Sequence, residues 1–147
     1  MSLPAVLEEI VQDFMSLEER SRLELLLEFS DGLPDLPERY QDADLEQVEE
    51  CQSPVFLTVE VADDADRTVS VFITAPPESP TTRGFAGVLV EGLSGLPART
   101  VLEVPADFPL QLGLSRAVSP LRLRGMTAML SRIKTRVSKA LTGEDVA

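Results

Sequence analysis

Residues 55–74 read VFLTVEVADDADRTVSVFIT. Val55, Leu57, Val59 and Val61 fall on one side of an extended chain, and Phe56, Thr58 and Glu60 on the other. The alternation returns at Val69, Val71 and Ile73, and the DDADR between the two runs is turn material. A period of two means strand, because successive side chains of an extended chain point to opposite faces. Two such runs around a short acidic turn predict an antiparallel hairpin with one covered face.

On the N-terminal side, Pro34 to Glu50 (PDLPERYQDADLEQVEE) reads as a loop, from its two prolines and its charge. Before it, Val6, Leu7, Ile10, Val11 and Phe14 recur at helical spacing over residues 4–14, with Ser2 and Pro4 suited to a helix start. SLEE, with Ser16 and Glu19, has the form of a capping box opening a second helix. That helix carries Leu23, Leu26, Leu27 and Phe29 and stops near Asp31 and Gly32.

On the C-terminal side, APPESP is a rigid loop, and TTRGFAGVLVEGLSG predicts a third helix that tolerates two glycines where a neighbour packs close. Residues 96–114 suggest a short helix and irregular turns. Ser119 and Pro120 then open a last helix running to about Leu141. Its apolar stripe is Leu123, Met126, Met129 or Leu130, Ile133 and Val137, with Arg124, Arg132, Arg136 and Lys139 mostly off that stripe. There are no internal repeats. The layout is an α+β fold: one domain over residues 1–147, a small antiparallel sheet, helices before and after it, and a long C-terminal helix.

Composition excludes a good deal. The chain has one cysteine and no histidine. It can form neither an internal disulfide nor a Cys-only metal site, and Ser-His-Asp, Cys-His and His-zinc chemistry are closed to it. Net charge is −12, which disfavours nucleic acid. The cations gather late, seven basic against two acidic side chains in residues 111–147, and read as a solvated helix face. No run approaches the roughly 20 apolar residues of a membrane span. The first fourteen residues hold no basic residue and two glutamates, unlike a signal or transit peptide. The expectation is a soluble, cytoplasmic protein.

The cysteine sits in VEECQSPVF, residues 48–56, at the mouth of the first long strand. A free cysteine is commonly a small buried hydrophobe. Glu49 and Glu50 disfavour a thiolate, and no histidine can take the proton, so Cys51 is badly placed to attack an unactivated carbonyl. Receiving sulfur from a persulfide is a lighter task, because the leaving group is already good. The absence of a second thiol means that nothing nearby would expel the cargo as a disulfide.

VEECQSPVF resembles the cysteine motif of the SufE family, sulfur acceptors that work with cysteine desulfurases in iron–sulfur cluster assembly. RGFAGVLVEGL, LGLSRAVSPLRLRGMTAMLSRIK and GLPDLPERYQ resemble further segments of that family, in the same order along the chain. The resemblance implies a compact α+β unit with helices packed mainly on one side of the sheet. It implies that Cys51 accepts the sulfur, that Gln52 and Ser53 are its loop neighbours, and that Arg122 is the arginine of a Ser/Thr-Pro-x-Arg motif. Glu50 stands where a glycine is common, Phe56 for a tryptophan and Ala117 for a histidine. APPESPTTRG replaces an acidic-Ser-Asp-Ala stretch, leaving Glu78 as the nearest carboxylate.

The implied partners are a SufS-type cysteine desulfurase and a SufBCD-type scaffold. No cofactor is expected in this chain. Pyridoxal phosphate needs a Schiff-base lysine in a large site, and the two lysines, Lys134 and Lys139, both lie on the basic helix, so the cofactor belongs to the desulfurase. Two other readings remain open: a binding module whose cysteine is merely packed, and a single-cysteine redox sensor.

Overall fold

The computed structural model describes residues 3–40 and 45–143. The hairpin forms as its alternation predicts. Strand β2 (Phe56–Val61) pairs antiparallel with β3 (Val69–Thr74), Leu57 opposite Ile73 and Val59 opposite Val71. Val55, Leu57, Val69, Val71 and Ile73 are buried. The turn is held by the Asp64 carboxylate, which accepts from the Thr68 amide at 2.9 Å and the Thr68 hydroxyl at 2.7 Å.

The sheet has one strand more than the sequence suggested. Within the stretch read as a loop, Glu46–Gln47 forms a short strand, β1, against the free edge of β2. Its residue types give no strand signal; pairing to β2 is what defines it. The outer edge of β3 is closed by the chain after the third helix, where the Val69 amide donates to the Leu96 carbonyl and the Gly95 amide to the Val69 carbonyl.

Helices α1 (Ala5–Met15), α2 (Glu19–Asp31), α3 (Pro80–Leu93), α4 (Ala98–Glu103) and α5 (Pro120–Thr142) complete an α+β fold. Helix α3 packs on β3 and α2, and α5 packs on β2 and α3. The α5 stripe is fully used, with both Met129 and Leu130 buried beside Leu123, Met126, Ile133 and Val137. The other sheet face is met by a turn at Glu38–Tyr40, whose Tyr40 ring packs on Phe72. Thr58, assigned to that face by alternation, is nevertheless buried and accepts a hydrogen bond from Arg136 at 3.2 Å.

Ser16 does not cap α2. It ends α1 with helical dihedrals (φ −77°, ψ −8°), its hydroxyl donating back to the Asp13 carbonyl, while α2 starts at Glu19 behind Glu18. An N-cap needs extended dihedrals to aim its oxygen forward, and Ser16 is still in the helical basin. Of the start assigned to α1, Pro4 is at the N-cap position and Ser2 lies outside the described residues.

The glycines of α3 are explained by proximity. A Cβ at Gly84 would collide with the Leu26 carbonyl oxygen, and one at Gly87 with the Phe29 carbonyl oxygen, so α2 and α3 cross backbone to backbone. Arg83, beside them, donates to the carbonyls of Ser30 (3.0 Å) and Ala75 (2.8 Å), tying the end of α2 to the chain that leaves β3. Gly87→Ala is expected to lose roughly 1–3 kcal/mol, the range for a side chain forced into a closed contact, despite its better helix propensity. Urea unfolding measures this, and an unchanged midpoint would show that the helices can separate freely.

Candidate functional site

The cysteine loop springs from two buried valines. The Val48 amide donates to the Val55 carbonyl at 2.9 Å, closing the base of the loop, and both residues are fully buried. A turn follows, with the Cys51 amide donating to the Val48 carbonyl at 3.1 Å. Glu49, Glu50 and Gln52 are exposed, while Cys51 is half-buried against the core. The backbone thus turns one residue inward and its charged neighbours outward.

The seat of the sulfur is a glycine of α5. A Cβ built on Gly125 would lie 3.0 Å from Cys51 Sγ, so any larger residue there would press on the thiol. The sulfur borders a pocket of about 120 Å³ lined by Cys51, Gln52 and Ser53 from the loop, by Glu78 and Ser79 before α3, and by Leu121 and Arg122 from α5. Pro80, Thr81 and Thr82 bring the N-terminus of α3 to the same wall. Every site residue named from the sequence, Cys51, Gln52, Ser53, Glu78 and Arg122, therefore lines one concavity.

Two Ser-Pro helix starts meet there and behave differently. Ser119 caps α5, its Oγ accepting from the Arg122 amide at 3.3 Å. Ser79 makes no such cap; its hydroxyl instead hydrogen-bonds Ser53, joining the cysteine loop to the start of α3. The Arg122 side chain is exposed and takes part in no ion pair among the described residues.

Sequence reasoning missed the cations that hold β1 and the cysteine loop. Arg132 and Arg136 are not a solvated face. Arg132 Nη1 reaches Glu46 at 2.6 Å, its Nη2 reaches Glu50 at 2.7 Å, and Arg136 Nη1 reaches Glu46 at 3.2 Å. The signal was two acids four apart and two arginines four apart, but nothing local says that they meet across more than eighty residues of chain. Gly125, Ser79 and Leu121 were likewise not assigned to the site from the sequence.

Burial pushes the Cys51 thiol up to about 11, the Glu50 carboxylate adds to the rise, and Arg132 partly opposes it. The same Arg132 holds the Glu50 carboxyl below its ordinary value. At neutral pH the resting thiol keeps its proton, and as a nucleophile it is quiet.

The family described as "SufE: Fe-S metabolism associated domain" matches residues 8–137. An uncharacterized SufE-like protein of Mycobacterium tuberculosis is 50% identical over 139 residues, 95% of this chain and 96% of the relative. SufE-like protein 1, chloroplastic/mitochondrial, of Arabidopsis thaliana is 36% identical over 87% of this chain, which spans 33% of that longer protein. The solution structure of a hypothetical protein from Thermus thermophilus superposes with a TM-score of 0.83 at 39% identity, covering 96% of this chain and 99% of that one.

Alkylation by uncharged iodoacetamide should follow the thiol's titration, with an inflection near 11 in the folded protein against 9.0 for an unperturbed cysteine. The folded state holds this proton more tightly, so the thiol's contribution to stability is complete below the unfolded value and is lost as pH rises towards the folded one. Glu50→Gln keeps an acceptor for Arg132 but removes the negative charge, and should move the inflection down. A native inflection at or below that of the urea-unfolded chain would contradict the burial assignment.

Proposed function

This chain belongs to the SufE family, and on that premise we propose that Cys51 is a sulfur carrier, taking sulfane sulfur from the persulfide of a partner cysteine desulfurase. It then hands the sulfur to an iron–sulfur scaffold. The observation that carries the reading is the seating of Cys51 Sγ over Gly125 at the edge of a pocket walled by two helix N-termini and Arg122.

The chemistry is an exchange. The Cys51 sulfur attacks the outer sulfur of the partner's persulfide. The S–S bond to the partner breaks as a new S–S bond forms on Cys51, and the partner's cysteine leaves as a thiolate that receives the Cys51 proton. No electrons are gained or lost overall, and no metal is involved. A persulfide anion left on Cys51 would face the positive ends of α3 and α5 and the Arg122 guanidinium, groups that favour negative charge. Pyridoxal phosphate stays with the desulfurase.

The half-buried resting thiol suits a cargo that reductants would otherwise strip. Transfer then requires the loop between Val48 and Val55 to turn outward when the desulfurase docks, which happens if the docked state prefers the open loop. A redox sensor would need an exposed thiol of low pKa, and Cys51 has the opposite character. Among the described residues no helix is long and apolar enough to cross a membrane, and we place the carrier in the cytoplasm with its partner.

Incubated with cysteine and an active desulfurase, the chain should gain one sulfur by mass spectrometry, removable with dithiothreitol, and should speed alanine release. Cys51→Ser should fold, gain no sulfur and give no stimulation; full stimulation by that variant would overturn the assignment. Arg122→Ala should hold stability within about 1 kcal/mol, as exposed substitutions do, while weakening stimulation several-fold. Loss of folding in that variant would make Arg122 a structural residue instead.

A further inference from the structure

Helix α5 touches the cysteine loop at two places seven residues apart, two helical turns along one face: Gly125 under the sulfur and Arg132 beside the loop. Arg132 is forked. Its Nη1 binds Glu46 on β1 at 2.6 Å, and its Nε and Nη2 bind Glu50 on the loop at 3.2 and 2.7 Å. The Glu46 end is the firmer one, because Glu46 is also bound by Arg136, which in turn holds the buried Thr58. The Glu50 end has no such second anchor, and its side chain is 44% exposed against 29% for Glu46.

We propose that Arg132 is a positioning residue for the sulfur-accepting cysteine: it holds the loop in its resting place through Glu50, and the Glu50 contact is the one that lets go when the loop opens. This rests on the sulfur-carrier reading and adds its control. An ion pair with water on one side is weak and salt-sensitive, the properties a releasable contact needs. The Glu46–Arg136 side of the cluster keeps Arg132 in place after Glu50 departs, so the loop can return to the same seat. Opening also frees the guanidinium edge of Arg132 that Glu50 occupied at rest.

The test uses the isolated chain, with no desulfurase present, so that it stands or falls apart from sulfur acceptance. Hydrogen exchange of the Cys51 amide, corrected for its intrinsic rate, reports opening of the turn directly. Arg132→Ala and Glu50→Ala should each speed that exchange by about fivefold, the upper range for an exposed pair. The double variant should be no faster than either single one, and Arg132→Lys should restore part of the protection. Raising the salt concentration should speed exchange in the wild type and leave the double variant unchanged. Unaltered exchange in the single variants, or effects that multiply in the double one, would overturn the proposal.

Discussion

A small sheet with one apolar face must bury that face against another layer, and the packing of α5 along β2 is the contact on which the rest depends. Six apolar side chains of α5, from Leu123 to Val137, are buried, shared among the contacts of α5 with β2, α3 and α4. Burying each such side chain contributes roughly 1.5–3 kcal/mol, against about 0–1 kcal/mol for an exposed ion pair. Packing therefore fixes where α5 lies, and charge does not. Once α5 is placed, Gly125 lies beneath the cysteine loop and Arg132 and Arg136 lie beside β1, whatever else the loop does.

That division of labour suits a carrier. The scaffold under the thiol is held by apolar area that no partner can easily disturb. The loop above it is held by a turn, a serine–serine hydrogen bond and an ion pair at the water's edge. Its base is closed between two fully buried valines, so an outward movement has a natural limit at Val48 and Val55. The thiol's raised pKa follows from the same seating: the resting site is quiet because it is half-buried and lies near the Glu50 carboxylate.

The sequence disclosed the parts governed by short-range periodicity. β2 and β3 were legible in their alternation, α5 in its stripe and its Ser-Pro start, and a close neighbour of α3 in its glycines, though not that the neighbour is α2. β1 was not, because Glu46 and Gln47 become a strand only through pairing with β2. The Ser16 cap was misread because the motif says nothing about where the preceding helix stops. The five site residues named from the sequence came from the cysteine and from resemblance. Their meeting in one pocket depends on how the start of α3 and the start of α5 approach the loop, which no local pattern encodes. Arg132 was assigned to solvent for the same reason: its partners are distant in the chain, and an arginine off the apolar stripe looks alike whether it faces water or a carboxylate.

The central claim is that one sheltered thiol becomes available on docking. It is tested most directly by measuring the alkylation rate of Cys51, located by mass spectrometry, in the free chain and with an unpersulfidated desulfurase bound. The account predicts slow alkylation in the free chain, well below that of the unfolded chain at the same pH, and a faster rate in the complex. Free-chain reactivity equal to that of the unfolded chain would contradict it.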